Sequence, residues 1–156
     1  MPDDALFLSI KPRFATEILE GRKTVELRRT RPRGARDGSV VVVYASSPLR
    51  AVIGTFEVDK VVSACPDSLW DQVADRAGLS REEYDAYFDG AHEAVAIFVR
   101  SSDRACTPYS LDAIRLECPS FHPPQAFRYI GNMGAWASTM LGSLLGQRDA
   151  AEPEAV

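Results

Sequence analysis

The sequence predicts an α+β fold, a small mixed β-barrel with a helix after the first strand, an inserted helical hairpin and a C-terminal helix. Three observations predict it. Short β-branched or alternating segments recur along the chain, one helical segment separates the first two of them, and two helical segments follow one another near the middle. We expect a domain over residues 5–131, a helix over 132–146 and a disordered acidic tail over 147–156.

The first strand and helix have clear boundaries. Residues 5–10 read as a short strand, and Pro12 suits the first turn of a helix, where its missing N–H costs nothing. The helix is predicted to run from Pro12 to Glu20, with apolar residues at helical spacing. Gly21 then allows the left-handed backbone that ends a helix.

The next segment alternates in the manner of a half-buried strand. It runs from Lys23 to Arg29, and its period of two places Glu26 and Arg28 on one face. A loop rich in Pro, Gly and Arg follows over residues 31–38.

The remaining segments complete the barrel and its additions. Strands are predicted over 40–44, 51–62 and 94–99, and an extended segment over 123–130. Gly54 interrupts the second of these as a bulge. Helices are predicted over 67–77, 80–88 and 133–145, whereas 111–116 fits either a strand or a helical turn.

Charge is unevenly distributed along the chain. Between Lys11 and Arg36, nine Lys/Arg stand against three Asp/Glu, which gives this segment a net charge of +6. Because the whole chain has a net charge of -4, the other residues together carry -10. A pI near 5.2 argues against a histone-like, wholly electrostatic nucleic-acid binder. The local density of cations is nevertheless what phosphate contacts require.

Several classes of protein are not indicated. No apolar stretch approaches the roughly 20 residues that span a bilayer, and the N-terminus is acidic, so we expect a cytoplasmic protein without a membrane partner. Three cysteines without Cys-x-x-Cys spacing favour reduced thiols over disulfides or zinc. Nucleotide-cradling glycine motifs are absent from the sequence, and we predict no cofactor and no metal.

The motifs, taken in order, resemble the ASCH domain family, a branch of the PUA-like β-barrels. They are Ser9-Ile10-Lys11-Pro12, Ile18 to Gly21, Lys23-Thr24-Val25-Glu26-Leu27-Arg28, Tyr44-Ala45-Ser46-Ser47-Pro48 and Pro123 to Tyr129. The resemblance covers about residues 5 to 131. It implies a PUA-like pseudo-barrel with a cleft beside the first helix that holds RNA or a modified base.

The resemblance implies three kinds of role, because ASCH proteins include single-strand ribonucleases, N4-acetylcytidine amidohydrolases and RNA-binding regulators. In the amidohydrolases a threonine nucleophile stands where this chain has Glu26, although Lys23 matches. A carboxylate attacks an amide poorly, which counts against that activity. In the nucleases a tyrosine corresponds to Tyr44, and a lysine stands where this chain has Arg50. Because an arginine stays charged, Arg50 suits phosphate binding but not the role of a general base.

The leading hypothesis is a regulatory protein that binds RNA or a nucleotide, or DNA, in a basic cleft. The candidate binding residues are Lys11, Arg13, Arg22, Lys23, Glu26, Arg28, Arg29, Tyr44, Ser46, Arg50, Gln125 and Tyr129. The enzyme alternative is a metal-independent ribonuclease that uses Tyr44, Lys23, Glu26 and Arg50. A third hypothesis is protein docking through the acidic hairpin from Asp67 to Glu93, whose eight acids and two bases give -6. The oligomeric state stays open.

Overall fold

The computed structural model describes residues 4–151, and of residues 148–151 only the helical backbone. The strands are β1 (Leu6–Ile10), β2 (Val25–Arg28), β3 (Val40–Ala45), β4 (Ala51–Ala64), β5 (Ala94–Ser110) and β6 (Phe127–Tyr129). The α-helices are α1 (Pro12–Leu19), α2 (Pro66–Val73), α3 (Arg81–Tyr87), α4 (Leu111–Glu117) and α5 (Ala135–Ala151), with a 3-10 turn at Ile130–Asn132. The predicted α+β class is confirmed.

The six strands form one sheet that curls into a half-barrel, in the order β2-β5-β4-β3-β1-β6. The pair β1 and β3 is parallel, with α1 and β2 between them in the chain, and the other pairs are antiparallel. The two edge strands, β2 and β6, therefore flank an open seam. One end of β1 and the start of α1 lie beside this seam.

Arg28, at the end of β2, joins the two sides of the seam. Its Nη1 donates to the carbonyl oxygen of Ser9 at 3.1 Å, and its Nη2 donates to that of Ala126 at 2.7 Å. A guanidinium presents several N–H groups in one plane, so a single side chain can bond two backbone segments. The strands leave the seam unpaired, and this arginine bridges it.

Three apolar clusters hold the sheet and helices together. Alternate residues of β1 face opposite clusters, Leu6 and Leu8 with α1 on one side and Phe7 with α4 and α5 on the other. A third cluster packs α2 and α3 against β2 and β5. Because both faces of β1 and β3 are covered, these strands read as continuous apolar runs in the sequence.

Several boundaries differ from the sequence-based expectations. β5 extends to Ser110, past the predicted end at residue 99, because its polar second half pairs with the first half of β4. α2 ends at Val73 rather than 77, and residues 111–117 are helical. α5 extends to Ala151, beyond the predicted boundary at 146, and residues 152–156 of the predicted tail lie outside the described residues.

Candidate nucleic-acid interface

A depression of about 310 Å³ lies at the seam, between α1 and β2. We call it the seam pocket. Its polar lining comes from Ser9, Lys11, Lys23, Glu26, Arg28, Glu83 and Gln125, and its apolar lining from Ile10, Phe14, Leu27, Leu79 and Tyr87. The predicted alternation of β2 explains part of this lining, because Glu26 and Arg28 both point into the pocket, their carboxylate and guanidinium 3.9 Å apart.

Glu26 is a buried acid at the base of the seam pocket. It is 6% exposed, and within residues 4–147 its Oε2 has no hydrogen-bond partner. Burial raises the pKa of Glu26 above its ordinary value of 4.5, and the charges of Lys23 and Arg28 lower it in part. An unpaired buried carboxyl oxygen costs free energy unless a ligand or a water molecule supplies a donor.

Lys23 is the buried cation beside this acid. It is 2% exposed, its Nζ donates to the carbonyl oxygen of Ala77 and lies 4.8 Å from the ring centroid of Phe14. Burial lowers the pKa of Lys23, while Glu26 and Glu17 raise it in part. The carbonyl and the aromatic ring hold the ammonium in one place, so it acts as a fixed positive charge in the pocket wall.

The outer wall of the seam pocket comes from α3. Glu83 accepts a hydrogen bond from Arg13 of α1 at 2.6 Å, and this contact together with the helix cap at Ser80 lowers the pKa of Glu83 to about 2. Tyr87 of the same helix is 40% exposed, and its hydroxyl lies 3.3 Å from the carbonyl oxygen of Leu27. The acidic hairpin is thus one side of the pocket.

A second depression, the turn pocket, adjoins the turn that follows β3. Its lining residues are Ser9, Tyr44, Ser46, Ser47, Arg50, Leu111, Arg115, Pro123, Pro124 and Gln125. Burial raises the pKa of the Tyr44 phenol above 10.0, and the charges of Arg50 and Arg115 lower it in part. The phenol therefore stays protonated at neutral pH beside two guanidinium groups, a set that suits a phosphate.

Arg50 has an unusual backbone. Its φ is +50°, and it is the one non-glycine residue with positive φ in the described part of the chain. A side chain costs roughly 1 kcal/mol or more in this conformation. Backbone strain of this kind occurs most often at functional sites, where the position of the side chain matters.

The two depressions meet at Ser9 and Gln125, which line both. Ser9 presents its carbonyl oxygen to Arg28 at the seam, while its side chain shares a face of the sheet with Tyr44, its partner in the parallel register. The Oγ of Ser9 is buried, with no hydrogen-bond partner among residues 4–147.

A third depression, the loop pocket, adjoins the seam pocket next to the loop that follows β2. It shares Arg28, Tyr87 and Gln125 with the seam pocket and adds Arg29, Thr30, Pro32, Ala126 and Phe127. The three depressions adjoin one another, and Gln125 lines all of them; we call them together the groove.

The structure brings most of the sequence-predicted residues into this groove. Lys11, Lys23, Glu26, Arg28 and Gln125 line the seam pocket, Tyr44, Ser46 and Arg50 the turn pocket, and Arg29 the loop pocket. Three residues lie apart from it. Arg13 is held by Glu83, Arg22 pairs with Glu20 on the surface, and Tyr129 lines a separate depression with Asp4 and Arg36.

The groove residues that were missed as site candidates include Ser9, Glu83, Tyr87 and Arg115. Tyr87 has the spacing of a core aromatic, and Arg115 lies in a segment whose secondary structure the sequence leaves open. Ser9 belongs to the motif Ser9-Ile10-Lys11-Pro12, but a serine in a predicted strand does not indicate whether its side chain is buried. Only the pairing of distant segments places these four together.

Two findings concern metals and membranes. Among the described residues, no group of three or more His, Cys, Asp or Glu side chains is placed to hold a metal ion. Across residues 4–151, the helices are too short or too polar to cross a membrane.

Comparisons with known proteins agree with this architecture. A family model described as "ASCH domain" matches residues 8–102. A curated protein of Zymomonas mobilis, named "ASCH domain-containing ribonuclease", is 32% identical over 123 residues, which cover 79% of this chain and 82% of that protein.

Solved structures of ASCH from Zymomonas mobilis share the fold. The unmutated protein aligns with a TM-score of 0.81 at 30% identity, covering 90% of this chain and 95% of that one. A serine-to-alanine mutant also gives 0.81, at 32% identity over 92% of this chain and 99% of that one. The PUA-like half-barrel that the motifs implied is confirmed, and the chain belongs to the ASCH domain family.

Proposed function

We propose that this protein binds single-stranded RNA along the groove formed by the seam, turn and loop pockets. The observation that carries the proposal is that the three depressions adjoin one another at Gln125 and are lined by the cations Lys11, Lys23, Arg28, Arg29, Arg50 and Arg115. A groove with cations along its length suits the regularly spaced phosphates of a nucleic-acid strand.

The shape of the groove favours a single strand over a duplex. Unpaired bases can enter a pocket about 310 Å³ in volume, whereas bases stacked in a helix cannot. Tyr87, exposed where the seam and loop pockets meet, offers an aromatic surface for a base. The acidic remainder of the chain would repel RNA elsewhere and restrict binding to the groove.

The test is a titration of a short labelled single-stranded RNA at several salt concentrations. Arg29→Gln, Arg50→Gln and Arg115→Gln alter exposed or half-buried groove cations. Each is expected to weaken binding and to reduce the slope of log K against log salt by roughly 0.7. Arg81→Gln, in an ion pair with Asp67 outside the groove, is the matched control. Equal losses in all four variants, or no binding by the native protein, would refute the proposal.

A metal-independent ribonuclease is the second candidate. The Zymomonas mobilis relative named a ribonuclease favours it, together with the cluster of Tyr44, Arg50 and Arg115 in the turn pocket. In such a reaction the 2′-hydroxyl gives its proton to solvent water while its oxygen attacks the adjacent phosphorus, forming a 2′,3′-cyclic phosphate and breaking the bond to the 5′-oxygen, which leaves as a hydroxyl. The protonated Tyr44 phenol would give its proton to the leaving oxygen, and the two guanidinium groups would stabilise the charge on phosphorus.

Cleavage and binding can be separated by one substitution. RNA is incubated with the protein in excess EDTA, and the products of native protein and Tyr44→Phe are compared. Loss of cleavage with binding retained would support the enzyme, because only the phenolic hydroxyl, the proposed proton donor, is removed. If RNA stays intact with the native protein, the ribonuclease candidate fails and only the binding function remains. Cleavage by Tyr44→Phe at the native rate would exclude Tyr44 as the acid.

A further inference from the structure

We infer that the seam and turn pockets together bind a single nucleotide unit, the base in the seam pocket against Glu26 and the attached phosphate in the turn pocket on Arg50 and Arg115. The inference rests on the proposed function and goes further, because it assigns a chemistry to each pocket. It also predicts which bases the groove selects.

The base assignment starts from the unpaired oxygen of Glu26. Its Oε1 faces the guanidinium of Arg28 at 3.9 Å, whereas its buried Oε2 has no hydrogen-bond partner among residues 4–147. A buried acceptor that the protein leaves without a donor is satisfied when a ligand supplies one. The exocyclic amine of cytosine, adenine or guanine is such a donor. Uracil has no exocyclic amine: it carries a carbonyl oxygen where cytosine has its amine, and its one donor on the base edge is the ring N3–H.

The walls of the seam pocket suit a flat, partly apolar ligand. Phe14, Leu79 and Tyr87 line it together with the polar residues, and its volume of about 310 Å³ is at the lower end of small-molecule sites. A base inserted edge-first toward Glu26 would place its faces against these side chains. Stacking on an aromatic ring adds affinity for any base, so selectivity falls to the hydrogen bond with Glu26.

The phosphate assignment starts from the two arginines of the turn pocket. Arg50 keeps a strained backbone with a φ of +50°, and Arg115 is held in place by a 3.1 Å bond from its Nε to the carbonyl oxygen of Phe121. The third group is the Oγ of Ser9, which is buried, has no hydrogen-bond partner among residues 4–147 and lies on the same sheet face as Tyr44. Two guanidinium groups and a hydroxyl are a common set of donors for a phosphate.

The two assignments belong to one ligand because the pockets share Ser9 and Gln125 as walls. A ribose separates a base from its phosphate, and it would lie over these two residues. A free phosphate or a free nucleoside would fill only half of the site. A nucleotide should therefore bind more tightly than either part, because the second contact is made within an already bound molecule.

The first experiment compares bases. Native protein is titrated with the labelled pentaribonucleotides UUCUU, UUAUU and UUUUU, and we expect the first two to bind at least fivefold more tightly than the third. In Glu26→Gln the preference should fall to less than twofold, because an amide can accept from an amine or donate to a uracil carbonyl. Glu57→Gln, which removes the same charge at an ion pair with Arg100 outside the groove, should keep the preference.

The second experiment tests the link to the phosphate. Cytidine, its 3′-monophosphate and its 5′-monophosphate are titrated separately, and one monophosphate should bind at least tenfold more tightly than cytidine. Arg115→Gln should remove that gain and leave cytidine binding unchanged, whereas Arg81→Gln should change neither. If both monophosphates bind no better than cytidine, or if Arg115→Gln keeps the gain, the phosphate assignment is wrong.

The outcomes separate this inference from the proposed function. If none of the pentaribonucleotides binds, RNA binding itself fails. If all three bind equally to native protein, RNA binding stands and the reading of the base by Glu26 is overturned. This comparison needs no variant, so it decides the matter even if Glu26→Gln does not fold.

Discussion

Glu26 shows how one residue links the sequence motif to the chemistry of the groove. The strand period places it beside Arg28, and the fold adds a second cation, Lys23, held by the carbonyl oxygen of Ala77. Burial has a larger effect on the pKa of Glu26 than the two cations together, because the pKa is raised rather than lowered. The acid is kept where its charge is costly, which is typical of a binding site and unusual for a residue that serves stability alone.

The raised pKa of Glu26 predicts how stability changes with pH. A carboxyl with a raised pKa in the folded state stabilises the protein fully below its unfolded value, near 4.5, and loses this contribution as pH rises through the folded pKa. We therefore expect native protein to lose free energy of unfolding relative to Glu26→Gln as the pH rises from about 4.5 through the raised folded pKa of Glu26. Urea titrations of both proteins measure this difference, and a relative gain by native protein would mean that the cations prevail.

Arg50 allows a test of whether strain serves binding. In Arg50→Gly the left-handed backbone is no longer strained, so the free energy of unfolding should stay level or rise by about 1 kcal/mol. The same change removes a cation of the turn pocket, so RNA binding should weaken. Arg50→Ala, which keeps the strain, should bind equally weakly but gain no stability. Thermal unfolding and RNA titration of both variants give the comparison, and tighter RNA binding by Arg50→Gly would contradict it.

Among the elements, those with a local signal could be predicted and those that depend on distant pairing could not. Pro12 and the capping box that begins at Ser80 fix the starts of α1 and α3 within a few residues. The second half of β5 is polar and mostly exposed, so its strand conformation depends on backbone bonds to β4 that no local pattern reveals. The same holds for the groove, where β2 supplied Glu26 and Arg28 but α4 was needed for Arg115.

The predicted bulge in β4 gives the clearest prediction for an element. The register of β3 on β4 shifts next to Gly54, and a side chain there would meet the backbone carbonyl of Asp103 and the methyl groups of Leu19 at 2.9 Å. Backbone cannot move aside without breaking the pairing of β4 with β5. We expect Gly54→Ala to lower the free energy of unfolding by roughly 1 to 3 kcal/mol in urea titrations.

A matched glycine elsewhere provides the control. Gly142 lies in the middle of α5, and apart from the nearby backbone of the helix itself no atom lies within 4 Å of the position that its Cβ would take. Alanine is the better residue inside a helix, so Gly142→Ala should raise stability by about 0.5 to 1 kcal/mol. A loss of stability in Gly54→Ala together with a gain in Gly142→Ala would assign the loss to the close contacts of residue 54 with Asp103 and Leu19. A loss in both would mean that the packing around β4 is not the cause.

At the scale of the whole molecule, the groove exists because the half-barrel is not closed by strand pairing. The sheet order leaves β2 and β6 as its two edges, and the base of the groove lies where these edges approach each other. Closing the seam with backbone hydrogen bonds would fill the space in which Glu26 and Ser9 carry unpaired atoms. A side chain instead spans the gap, so the barrel is held together while the pocket stays accessible.

Arg28 therefore contributes to the stability of the whole fold, and substituting it should lower the free energy of unfolding. Arg28→Met keeps the length of the side chain and removes the bonds to the carbonyl oxygens of Ser9 and Ala126. Hydrogen bonds from a charged donor contribute about 1.5 to 3 kcal/mol, so a loss of at least that size is expected in urea. Amide hydrogen exchange should rise in β6, the edge strand that loses its bridge. Arg31→Met, an exposed arginine of the adjoining loop, should leave both measurements unchanged. Unchanged exchange in β6 with Arg28→Met would mean that its pairing with β1 suffices to hold the edge.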